Sequence, residues 1–279
     1  MVAKFVVGVD GSLASGRALV WATRLAAKRG AVVEPIMTWH FPPVSPTVLG
    51  DALAIPPFDD LEASAHAQLD SLLESTRPLC DPGATLAEGR VLQGAAGPVL
   101  CDAAEDADLL VIGSRGYGGF KGLVLGSVSA HCANAAPGPV AVIPHDWEPD
   151  GATGVVVVGV DGSSNSDAAI AWADNWSPPE ATLRLVHSWS YPVGYNAETV
   201  AFDPVILEDG ANEMLDQAAA LVKDHKSETV CLRGDGRHLL NEQAAGSDML
   251  VIGSRGRTGI IRLLLGSVAS AISRCRRSW

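Results

Sequence analysis

An aspartate occurs twice in the same seven-residue frame, VVGVDGS, at Val6–Ser12 and Val157–Ser163. Asp10 and Asp161 each follow a short apolar run, so each carboxylate stands where a buried strand ends. A second repeated stretch carries glycines at fixed spacing. It reads LLVIGSRGYGGFKGLVLGS from Leu109 to Ser127 and MLVIGSRGRTGIIRLLLGS from Met249 to Ser267. After each apolar run come G-x-x-G, nine residues and G-S. These are Gly113, Gly116, Gly126 and Ser127 in the first copy, and Gly253, Gly256, Gly266 and Ser267 in the second. Glycines directly after a buried strand let backbone turn sharply and approach a ligand closely. A Gly-Ser opening a helix offers free N–H groups, a hydroxyl and the positive end of the helix dipole, a site for phosphate. Two tight turns and a helix cap would explain one copy; two copies with identical spacing point to a retained site. The loops between, with Ser114, Arg115, Gly119 and Val128 in one copy and Ser254, Arg255, Gly259 and Val268 in the other, complete two candidate phosphate cradles.

The elements that position these residues follow from periodicity. Lys4–Val9 and Val155–Val160 read as first strands. A helix follows each, with Ala18, Trp21, Ala22 and Leu25 on one face, matched by Ala169, Trp172, Ala173 and Trp176. Second strands run Val32–Trp39 and Leu183–Trp189, so each half opens with a parallel crossover unit. His40–Phe58, with five prolines, reads as a long loop, and Ser190–Val205 as its shorter counterpart. Helices then run from Asp59 to Ser75 and along Leu207, Ala211, Met214, Ala218 and Leu221. Third strands lie near Ala87–Leu92 and Thr229–Leu232, and helices at Pro98–Ala107 and His238–Ala245. The glycine stretches open with fourth strands, Leu109–Ile112 and Met249–Ile252. Gly138–Pro144 is a fifth strand in the first half alone. The fold class is α/β, two tandem doubly wound parallel sheets, the second lacking its fifth strand. The halves span 1–145 and 154–279, joined by an Asp-, Pro- and Gly-rich linker.

Composition narrows the function. The 279 residues carry a net charge of −12, which argues against nucleic acid and anionic membrane as partners. No apolar run is long enough to span a bilayer. Five scattered cysteines, with no C-x-x-C, read as buried thiols in a reducing cytosol, and the N-terminus does not read as a signal peptide. The histidines make no metal-ligand spacing. There is no P-loop, no G-x-G-x-x-G after the first strand and no G-x-S-x-G elbow. No base or nucleophile beyond the aspartates is visible, so binding is expected rather than catalysis.

The pairing of VVGVDGS with GSRG-x9-GS resembles the universal stress protein family, and the duplication resembles its tandem two-domain members. The resemblance covers nearly the whole chain. It implies strand order 3-2-1-4-5, ATP with Mg²⁺ in each half, and a nucleotide-dependent sensor or regulator of stress or dormancy. On this reading Asp10 and Asp161, after Gly8 and Gly159, meet ribose or metal. The glycines and serines named above hold the phosphates, and backbone at Thr38 or Ser188 meets the adenine. It also implies a cytoplasmic homodimer with a further protein partner. A slow ATP-hydrolysing or adenylyl-transferring enzyme, and a scaffold with a degenerate site, are the alternatives. Tyr117 stands where the second copy has Arg257, which predicts weaker phosphate binding in the first half.

Overall fold

The computed structural model describes residues 2–40, 58–116, 125–148, 153–190 and 203–254. The chain divides into two compact units, Met1–Pro149 and Asp150–Trp279.

In the first unit β1 (Lys4–Val9) leads into α1 (Leu13–Arg29) and back to β2 (Val32–Trp39). Ser12 caps α1 by accepting the Ser15 N–H at 3.2 Å. Gly30 ends α1 in the left-handed region at φ 64°, which costs a glycine little. Ala18, Ala22 and Leu25 are buried as their spacing predicts, while Trp21 is half-buried. Next come α2 (Phe58–Thr76), a single 3-10 turn at Arg77–Leu79, β3 (Thr85–Leu86) and β4 (Arg90–Gln93). The third strand expected at Ala87–Leu92 is thus broken in two, both pieces pairing with β2. The break surrounds Gly89, where a Cβ would lie 2.8 Å from Leu69 Cδ2 of α2. The unit closes with α3 (Ala96–Ala103), β5 (Leu109–Gly113), α4 (Ser127–Ala135) and β6 (Val140–Ile143). The sheet runs β3-β2-β1-β5-β6 with β4 also on β2, all parallel, so β1 and β5 are neighbours.

The second unit repeats the plan: β7 (Val155–Gly159), α5 (Ser164–Trp176), β8 (Thr182–Trp189), α6 (Pro204–Ala219), β9 (Lys226–Arg233), α7 (Gly236–Ala244) and β10 (Met249–Val251). Its order is β10-β7-β8-β9, four strands among the described residues. β9 is unbroken; the β-branched Thr229 stands at the place of Gly89 and suits a strand. Leu221, expected on the buried face of α6, lies beyond the end of that helix and is 43% exposed. The two chain entries are anchored alike. Asp108 accepts the Lys4 N–H at 2.8 Å, and Asp248 accepts those of Thr153 and Gly154 at 2.6 and 2.8 Å.

In each unit helices cover both faces of the sheet, because every central strand is apolar on both sides. Phe5, Val6, Val7, Leu109 and Leu110 are at most 1% exposed. Among the described residues no helix is long and apolar enough to cross a membrane. Cys101 and Cys132 are buried free thiols, Cys80 and Cys231 half-buried ones; burial, then neighbouring Cys101, pushes the Cys132 thiol up to about 12. Cys275 and the proline loop at 41–57 lie outside the described residues.

Candidate functional site

At the carboxyl ends of β1 and β5 the first unit brings its aspartate and its glycine loop together. Asp10 Oδ1 accepts the Ser12 N–H at 3.0 Å, which orients the carboxylate across the Asp-Gly-Ser turn. Its other oxygen reaches the loop: a Cβ on Gly116 would lie 2.1 Å from Asp10 Oδ2. Only a residue without a side chain lets the carboxylate stand there. Gly113 is crowded by α1, a Cβ there falling 3.0 Å from the Ala14 backbone.

The loop is pinned at three points. Ser114 N donates to Ile143 O at 2.7 Å, Gly126 N to Ser114 O at 2.8 Å, and the Ser129 hydroxyl lies 2.8 Å from Gly113 O and 3.2 Å from Ser114 O. Gly126 is the N-cap of α4 and gives it no side-chain cap, so among the described residues no side chain at the cap satisfies the first N–H groups of that helix. Ser127 is exposed at the first helical position, while Val128 turns its side chain into the core. Beside them Arg115 Nε is buried and has no hydrogen-bond partner among the described residues. A Cβ on Gly126 would meet its nearest described atom only at 3.6 Å, with ordinary φ and ψ. Neither strain nor crowding among the described residues requires a glycine there.

A cleft of about 160 Å³ continues from Asp10 along the end of β2 and the flank of α2. Met37, Trp39 and Leu61 line it together with Thr38, His40, Ser64 and Gln68, so its wall mixes apolar and polar groups. Glycine loop, carboxylate and cleft therefore follow one another along the sheet's carboxyl edge.

The second unit repeats part of this. Asp161 Oδ1 accepts both the N–H and the hydroxyl of Ser163, at 3.0 and 2.6 Å. A Cβ on Gly253 would lie 2.9 Å from the Asn165 backbone, the counterpart of the Gly113 contact. Ser188 ends β8 against α7, where a Cβ on Gly236 would lie 2.6 Å from its Oγ. Ser254 is exposed. Gly119 of the first copy, and Arg255, Gly256, Gly259, Gly266, Ser267 and Val268 of the second, lie outside the described residues.

A family model described as the universal stress protein family matches residues 1–144 and 153–274. The chain belongs to that family. Universal stress protein Rv1996 of Mycobacterium tuberculosis is 32% identical over 290 residues, 96% of this chain and 90% of its own. Universal stress protein Rv2623 of the same species is 30% identical over 288 residues, 98% and 93% of the two chains. A solved universal stress protein from Archaeoglobus fulgidus matches 99% of this chain and 98% of its own with a TM-score of 0.68, at 16% identity, a likeness of fold.

Within this universal stress protein two predicted site glycines have a packing reason. A Cβ on Gly8 would lie 2.6 Å from Leu100 Cδ1 of α3, and one on Gly159 3.0 Å from Ile252 Cγ2. Other residues escaped the sequence reading. Ser129 carried no motif signal, yet its buried hydroxyl holds the loop carbonyls. Gln68 carries no sequence signal beyond a polar position on a helix. His187 sits on β8 with Nδ1 2.7 Å from Val160 O, which ties the end of β8 to the residue before Asp161. Only its position beside a repeated aspartate, in a strand otherwise apolar on that face, could have pointed to it.

Proposed function

We propose that this universal stress protein binds ATP at the carboxyl edge of its sheets and acts as a nucleotide-dependent regulator rather than as a fast enzyme. One observation carries the reading: the Asp10 carboxylate stands against the Gly116 turn, beside a helix N-terminus that no side chain among the described residues caps. A carboxylate suits ribose hydroxyls or a hydrated cation, and backbone N–H groups with an arginine suit phosphate. The residues fit such a ligand. Arg115 Nε lacks a partner among the described residues, and Gly126 leaves room no described neighbour fills. Gly113, Ser114, Gly116, Gly126 and Ser127 would hold phosphate, Asp10 the ribose, and the cleft at Thr38 the base. Asp161, Gly253 and Ser254 are the corresponding residues of the second half. Among the described residues no group of three His, Cys, Asp or Glu side chains stands ready for a metal, so Mg²⁺ would arrive with the nucleotide. The same reading takes 1–145 and 154–279 as two domains of a cytoplasmic homodimer.

Calorimetric titration tests it. Gly126→Val with Gly266→Val should cost at least one charge-assisted hydrogen bond, about tenfold or more in ATP affinity. Circular dichroism checks folding. Mass spectrometry of the undialysed protein should find co-purified ATP. Wild-type affinity in the double variant would sink the assignment.

A further inference from the structure

The two halves differ where their sequences look interchangeable. Helices α2 and α6 bury Ala65, Leu69 and Leu72 in one unit and Ala211, Leu215 and Ala218 in the other. That register puts Gln68 and Met214 at the same place. Gln68 is exposed and lines the cleft that begins at Asp10. Met214 is half-buried and packs against the core of the second unit. A Cβ on Gly162 would lie 3.0 Å from its Sδ, so the thioether lies against the turn that carries Asp161. An amide offers a ligand two donors and an acceptor; a thioether offers one weak acceptor and must move aside.

A further difference runs the same way. At the phosphate end the first loop is braced by the Ser129 hydroxyl, and the second copy has Ala269 at that position.

We propose that the nucleotide sites are unequal. The first half is the tight site, Gln68 is a specificity-determining residue of its base cleft, and Met214 is what weakens the second. This rests on the nucleotide reading above and reverses the order that the Tyr117/Arg257 exchange predicts. The bracing and the open cleft act before the ligand arrives, so the first half has less left to order on binding.

Equilibrium dialysis of the full chain against radiolabelled ATP with Mg²⁺ counts the sites. One tight site per chain is expected, removed by Gly126→Val. Gln68→Met, an exposed change that leaves the fold in place, should weaken it about fivefold through the lost hydrogen bond. Met214→Gln should tighten the second site by a similar factor. Two equal sites in the unaltered chain would overturn the inequality and leave nucleotide binding standing. So would a tight site that survives Gly126→Val and vanishes in Gly266→Val. No ATP binding in either half would overturn the nucleotide reading itself.

Discussion

Gly116 and Asp10 meet in the contact on which the nucleotide reading of the first half rests. A methyl group at position 116 would occupy the space of the carboxylate oxygen 2.1 Å away. Gly116→Ala should therefore displace Asp10 or the loop and weaken ATP binding, with helix content unchanged; titration beside circular dichroism reads both. Asp10→Asn separates binding from catalysis. If the carboxylate holds ribose or a hydrated cation, the variant binds ATP less tightly and no fast reaction disappears. Phosphate release by the unaltered protein at saturating MgATP should be slow against a typical enzyme rate of about 10 per second. Rapid release that depends on Asp10 would make this protein an enzyme. Gly126 shows the opposite case to Gly116: its own surroundings tolerate a Cβ, so Gly126→Ala should fold normally and lose affinity.

The helices are fixed at their ends by short-range chemistry and in place by long-range chemistry. Ser12 and Ser163 cap α1 and α5 in the same way, and replacing either by alanine should cost about 1 kcal/mol of stability, read by thermal melting. Asp174, on α5, does more. It is 7% exposed and accepts the Lys223 N–H at 2.8 Å, the Asp224 N–H at 3.1 Å and the His225 ring at 3.0 Å. The other ring nitrogen of His225 lies 3.0 Å from Pro178 O. This cluster fastens the turn before β9 onto α5. Burial by itself would raise the Asp174 carboxyl; the hydrogen bonds from Lys223, His225 and Asp224 outweigh it and hold it below the ordinary carboxylate range. Its folded value is then below its unfolded one, so ionisation favours the native state. The contribution is whole above the unfolded value of about 3.9 and is lost as pH falls through the folded one. Acid unfolding of the second unit, followed by amide exchange in β9, should become less steep in Asp174→Asn. An unchanged acid limb would show that the cluster does not supply it.

Across the molecule the two units share a plan and differ in how their fourth-position strands are covered. In the first, Leu109–Val111 of β5 lie between β1 and β6 and are at most 1% exposed. In the second, Met249–Val251 of β10 are half-buried and pair with β7. Amides of Leu250 and Val251 should exchange faster than those of Leu110 and Val111 in one experiment on the full chain. Equal protection would mean that β10 is covered as well as β5. The same comparison at several protein concentrations reports whether any cover comes from another molecule, since only then does protection rise with concentration.

The amino-acid sequence by itself determined the duplication, the order of elements in each half and the placing of aspartate and glycine loop at strand ends. Burial periodicity, caps and turns act within a few residues, and a repeat spells them out twice. It also marked the β5 and β10 segments as buried strands, because a strand covered on both faces is apolar throughout; β10, read the same way as β5, is half-buried and ends its sheet among the described residues. What it left open were the contacts between residues far apart in the chain. That Gly116 is glycine because of Asp10, and Gly8 because of Leu100, depends on which side chains the crossovers bring face to face. The break at Gly89 depends on Leu69 in the helix above. The Asp174–His225 cluster joins residues 51 apart, and the unlike partners Gln68 and Met214 gain meaning only once α2 and α6 lie over their aspartates. Pattern reports which face of an element is buried; only tertiary packing decides what each buried or poised group meets there.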